Sequence, residues 1–185
     1  IAINGLFSEK DHIITSVAEH NSVLRPINYL RAKGAEVSYI NVFENGVLNL
    51  DELSKLVKVN TKGIVLTHAS NVTGNITDIR KVGDFCRENN LIFVVDASQT
   101  AGAFNIDMKE MNIDVLCFTG HKSMLAPQGV GVLCVREEIY IRPLIVGGSG
   151  THSYDEFQPD KMPTRLEAGT LNAHGIAGLH VSIEY

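Results

Sequence analysis

The strongest constraint on the fold is an alternation along the chain. Short runs rich in valine and isoleucine are separated by longer stretches in which apolar residues recur every three or four positions. Uninterrupted β-branched runs of this kind are strands buried on both faces, the situation in a largely parallel sheet covered by helices on each side. The predicted strands are His12 to Val17, Glu36 to Ile40, Gly63 to Leu66, Leu91 to Val95, Val115 to Phe118 and Gly131 to Val135. Asn21 to Lys33, Leu50 to Lys58 and Asp78 to Asn89 read as helices, the last capped by Thr77 and stopped at Asn89-Asn90. The link from Phe118 to Gly131 contains Gly120, Pro127 and Gly129 and is too short for a helical crossover, so the sixth strand is expected to run antiparallel. The predicted fold class is therefore α/β: three layers, α/β/α, around a mostly parallel sheet with one antiparallel strand.

Beyond Val135 the periodicity loosens. Gly147-Gly148-Ser149-Gly150, with Pro143, Pro159 and Pro163, implies an irregular surface stretch before an apolar helix from Asn172 to Tyr185. With 185 residues, 44% of them hydrophobic, the chain has material for the core of one domain, residues 1–185. It opens without Met, at Ile1-Ala2-Ile3-Asn4-Gly5, in what reads as the last turns of a helix, so a piece of a longer protein is expected.

Composition narrows the partners. A formal charge of −5, with acidic and basic residues mixed, offers no basic stripe for nucleic acid or an anionic membrane, which leaves small molecules and protein subunits. No apolar run approaches the roughly 20 residues of a membrane span. Cys86, Cys117 and Cys134 are odd in number and far apart, which fits packing in a reducing, cytoplasmic setting. His12, His68, His152, His174 and His180 show no metal-ligand spacing and read as packing or surface residues, so no metal is expected. The chain also lacks a GxxxxGK[ST] loop and a GxGxxG turn after its first strand, which argues against a nucleotide-binding domain.

In an open parallel sheet, ligands sit at the carboxyl ends of the strands. His20 falls just past the first predicted strand, Asn71 past the third, Asp96 at the end of the fourth, and Thr119-Gly120-His121-Lys122 at the end of the fifth. A carboxylate ending an apolar strand is either a local cap or the partner of a cation, such as a protonated pyridine nitrogen. A lysine at the mouth of the sheet is either solvated or a partly desolvated free amine able to form an imine with an aldehyde. Thr119 and His121 beside it offer a hydroxyl and an imidazole to phosphate oxygens.

These segments carry a family resemblance. Glu19-His20, His68-Ala69-Ser70-Asn71-Val72-Thr73-Gly74, Val95-Asp96-Ala97-Ser98-Gln99, Thr119-Gly120-His121-Lys122 with Pro127-Gln128-Gly129-Val130-Gly131, and Arg165-Leu166-Glu167-Ala168-Gly169-Thr170-Leu171-Asn172 resemble class V aminotransferases among the fold-type I pyridoxal-5′-phosphate (PLP) enzymes. The nearest branch is the cysteine desulfurases and selenocysteine lyases. The resemblance implies PLP held as a Schiff base on Lys122, His20 stacked on the ring and placed for acid–base work, and Asp96 paired with the ring nitrogen. It further implies Asn71 and Gln99 on the ring hydroxyl and Thr119 and His121 on the phosphate. Ser149 or Thr151 would reach the phosphate of a neighbouring subunit, making a homodimer with shared sites.

The implied activity is that of an enzyme on a small amino acid, most like a cysteine desulfurase, with a class V aminotransferase or selenocysteine lyase as alternatives and a sulfur acceptor protein as a partner. A noncatalytic binding module is the reading from another class; intact Lys122, Asp96 and His20 argue against it. The resemblance makes residues 1–185 the PLP-binding large domain, without the family's "T-E-A" turn and smaller C-terminal domain. That domain would supply the substrate-binding arginine and, in desulfurases, a loop cysteine that none of the three cysteines here matches. The piece is accordingly expected to be inactive alone. Arg165 is open to two uses, a substrate carboxylate or a salt bridge with Glu167 or another acid.

Overall fold

The apolar runs assemble into one sheet of six strands in the computed structural model, which describes residues 1–185. The strands are β1 (His12–Ser16), β2 (Glu36–Ile40), β3 (Thr61–Thr67), β4 (Ile92–Asp96), β5 (Val115–Thr119) and β6 (Gly131–Val135), in the order β2-β1-β3-β4-β5-β6. All neighbours are parallel except β5 and β6, which run antiparallel as the short connection requires.

Alternation along each strand divides the interior into two cores, because successive side chains point to opposite faces. Ile14, Ile64, Leu66, Phe93, Val95 and Leu116 face one side with Ile79, Val82 and Cys86 of the helix α4 (Ile79–Glu88). Ile13, Val65, Val94 and Val115 face the other, against Ile3 and Leu6 of α1 (Ala2–Leu6) and Val23, Ile27 and Leu30 of α2 (Asn21–Ala32). Both faces being covered, the middle strands carry no polar stripe.

Several boundaries differ from the sequence-based ones. The helix expected from Leu50 to Lys58 is a 3₁₀ turn, Leu50–Glu52, followed by one short helix, α3 (Leu53–Leu56). It ends early because Val57 is extended and the Lys58 N–H donates to Thr61 Oγ1 at 2.6 Å instead of to a helical carbonyl. The cap of α4 is Asp78, whose carboxylate accepts the Lys81 N–H at 3.0 Å, while Thr77 is buried and bonds back to His68. The last helix, α5 (Ala173–Glu184), is capped by Asn172. Residues 136–172 contain no strand and one 3₁₀ turn, Thr164–Leu166.

The connection leaving β1 runs outward to β2, and that leaving β3 runs to β4, so the order reverses between β1 and β3. Such a switch point leaves a crevice beyond the carboxyl ends of the strands.

Candidate active site

His20 reaches this crevice as the N-cap of α2. Its Nδ1 accepts the Ser22 N–H at 3.1 Å, which requires that nitrogen to be unprotonated and leaves Nε2 for other partners. The preceding Glu19 is buried, with one carboxylate oxygen accepting from Ser16 Oγ and the other from the Thr67 N–H at 2.8 Å. Burial, the largest influence, pushes its carboxyl up to about 7; the two hydrogen bonds oppose the shift and nearby Asp96 reinforces it.

Asp96 is the last residue of β4, level with Thr67 on one side and Cys117 on the other. It is half-buried, and each of its oxygens has a donor: Ser98 N–H on Oδ1 at 3.0 Å and Ser22 Oγ on Oδ2 at 3.2 Å. Asn71 sits on the turn after β3, where Ser70 Oγ accepts from the N–H groups of Val72 and Thr73. Gln99 lies in the turn that follows Asp96.

Thr119 ends β5, and its Oγ1 lies 2.7 Å from Nδ1 of His121. Gly120 between them is buried, and a β-carbon there would press on Ala126 at 3.1 Å. The turn closes with the Leu125 N–H on the Lys122 carbonyl and the Ala126 N–H on the Gly120 carbonyl, which holds Lys122 half-buried at the sheet's mouth.

Seven of the predicted residues thus line one cleft of about 290 Å³: His20, Asn71, Asp96, Gln99, Thr119, His121 and Lys122. Ser22, Thr67, Ala69 and Ser98 complete its wall. Ser149 and Thr151 lie elsewhere, on an exposed loop around a separate cavity of about 530 Å³, where the two hydroxyls are 3.4 Å apart. Arg165 is outside the cleft as well. It lies over the Tyr140 ring, with Nε 3.1 Å from Asp160 Oδ1 in an ion pair that lacks hydrogen-bond alignment, so its acidic partner is Asp160 and not Glu167.

Ser22 is a site residue that the sequence does not single out, and Glu19 figures there only as the neighbour of His20 in a motif, with no role of its own. A serine in the first turn of a helix and a glutamate before a histidine are ordinary; only the cap geometry of His20 relates them to Asp96 and Thr67. Of the other histidines, His12 is fully buried between Thr61 Oγ1 at 2.7 Å and Ser38 Oγ at 2.8 Å, and His68 is buried against Thr100 Oγ1 at 2.9 Å. Burial raises all three thiols, Cys117 to about 12 with Asp96 adding to the effect, so none is a ready thiolate.

Residues 1–185 match the family described as Aminotransferase class-V. A cysteine desulfurase of Nostoc is 38% identical over 95% of this chain and 41% of its own length. The cysteine desulfurase IscS of Buchnera aphidicola is 34% identical over 98% of this chain and 43% of its own. The apo cysteine desulfurase of Thermococcus onnurineus superposes with a TM-score of 0.89 at 35% identity, covering 100% of this chain and 47% of that one. The chain therefore spans less than half the length of these relatives. A match along its whole length, with this level of identity and a shared fold, means that the chain belongs to the class V aminotransferase family.

Proposed function

We propose that residues 1–185 are the cofactor-holding large domain of a PLP-dependent enzyme that acts on a small amino acid, most like a cysteine desulfurase. The observation that carries the proposal is the meeting of Lys122, Asp96, His20 and the Thr119–His121 pair in one cleft at the switch point of the sheet. The cleft's donor set fits PLP group by group: an amine for the aldehyde, a carboxylate for the ring nitrogen, and a hydroxyl with an imidazole for the phosphate. Its volume is at the small end for ligand sites, which start near about 300 Å³.

Lys122 would hold the cofactor through its aldehyde and, when free, would carry protons at the substrate Cα. Asp96, kept in place by Ser22 and Ser98, pairs with the ring nitrogen. Asn71 and Gln99 bind the ring hydroxyl oxygen. His20 covers one ring face with Nδ1 engaged by the helix cap, which leaves Nε2 to exchange protons near the substrate. Thr119 and His121 hold the phosphate. When bound, PLP supplies an electron sink for a Cα carbanion.

The active form in this reading is a cytoplasmic homodimer in which Ser149 or Thr151 crosses to the phosphate of the other subunit, with a sulfur acceptor protein as a further partner. The exposure of that loop, away from its own subunit's cleft, supports the crossing. A class V transaminase is the second reading. It rests on the match of residues 1–185 to the family described as Aminotransferase class-V.

Added PLP is expected to give a yellow species that borohydride fixes to Lys122 and that Lys122→Ala abolishes with the fold intact. An unchanged adduct in that variant overturns the assignment. Release of sulfide with alanine, as opposed to a keto acid, by the full-length protein separates desulfurase from transaminase.

A further inference from the structure

Asp96 takes part in none of the chain's ion pairs, so only neutral groups orient its carboxylate. Ser98 supplies a backbone N–H, which any residue but proline would provide at that position. The second donor is a side chain from another element: Ser22 Oγ, on the first turn of α2, reaches Oδ2 from 74 positions away in sequence. Ser22 is well placed to do this because its own N–H is held by His20 Nδ1, which fixes its backbone at the helix start. The chain from His20 to Asp96 therefore runs through the two donors of Ser22, its N–H on His20 Nδ1 and its O–H on Asp96 Oδ2.

A carboxylate at a strand end turns broadly about its last torsion, and one donor leaves that rotation open. Donors on both oxygens fix the plane. We infer that Ser22 is a positioning residue of this site: its hydroxyl sets the plane of the Asp96 carboxylate toward a protonated heterocyclic nitrogen. The inference rests on the PLP reading, and Ser22 acts on the ring only through Asp96.

The test compares two cofactors in the full chain: PLP, and its 1-deaza analogue, in which a carbon replaces the ring nitrogen. Binding is followed by absorbance titration and confirmed by borohydride fixation at Lys122. Ser22→Ala should weaken PLP about 3- to 10-fold, the size of one ordinary net hydrogen bond, while the analogue binds to both proteins equally. Ser22→Thr, which keeps the hydroxyl, should bind PLP as the unaltered protein does. Equal weakening toward both cofactors, no weakening toward either, or a threonine variant that behaves like alanine overturns the inference. If the unaltered protein forms no Lys122 adduct, the PLP reading fails and takes the inference with it; a normal adduct with no Ser22 effect removes the inference alone.

Discussion

Glu19 accepts the backbone N–H of Thr67 at 2.8 Å, tying the residue before His20 to the last residue of β3. The bond is buried, and the carboxyl is pushed from 4.5 to about 7, first of all by that burial. A carboxyl raised in the folded state holds its proton there more tightly than in the unfolded chain. Its contribution is therefore complete below pH 4.5 and is lost as pH rises to about 7. The shift corresponds to about 3 kcal/mol. Glu19→Gln, which still accepts from Thr67, should flatten the decline in urea-unfolding stability between pH 5 and pH 8.

His12 provides the opposite slope. Burial, then the charge of Lys58, lowers its pKa below 6.5 against a smaller opposing effect of Glu36. A histidine lowered in this way contributes stability that is complete above pH 6.5 and lost as pH falls. His12→Ala removes that slope, leaves Thr61 and Ser38 without their ring partner, and opens a cavity where β1, β2 and β3 begin. A loss of about 3 kcal/mol is expected in urea unfolding, with an unchanged m-value.

Asp96→Asn keeps an oxygen for the Ser98 N–H but loses the charge. The far-UV spectrum should be unchanged, while turnover by the full-length protein falls by roughly 10²-fold or more, as when a preorganised charge-stabilising group is lost. Steady-state kinetics of the reconstituted protein check this.

Gly83 lies within α4, where alanine would ordinarily favour the helix. A β-carbon here would collide with the Met111 carbonyl oxygen, because the helix packs directly on that backbone. Gly83→Ala should therefore destabilise the fold by about 1–3 kcal/mol or more, as overpacking does, lowering the midpoint of thermal unfolding.

Most of the frame was legible in the sequence because double-sided burial leaves so plain a trace: Ile64-Val65-Leu66 and Phe93-Val94-Val95 have no polar interruption. The antiparallel direction of β6 was readable from the short link before it, with Gly120, Pro127 and Gly129. Less visible were contacts between segments distant in sequence. The Gly83 contact, the Thr61 hydroxyl that ends the expected Leu50–Lys58 helix early, and the Ser22 bridge each depend on a neighbour placed by the fold. The residues lining the cleft are legible in the sequence because each follows a strand, where topology assigns ligands; Ser22 and Glu19 support those residues from behind and have no such positional signature.

The sheet order carries a further consequence. The cleft draws on the ends of β1, β3, β4 and β5, and β1 meets β3 only after the chain has gone out to β2 and returned. His20, Asp96 and Lys122 come together only where β1, β3, β4 and β5 lie side by side. A ligand held here stabilises the assembled sheet over the unfolded chain, by about 2.7 kcal/mol at a hundred times its dissociation constant. Occupancy thus couples strands that are far apart in the chain, from His12 to Thr119, into one ligand-stabilised unit.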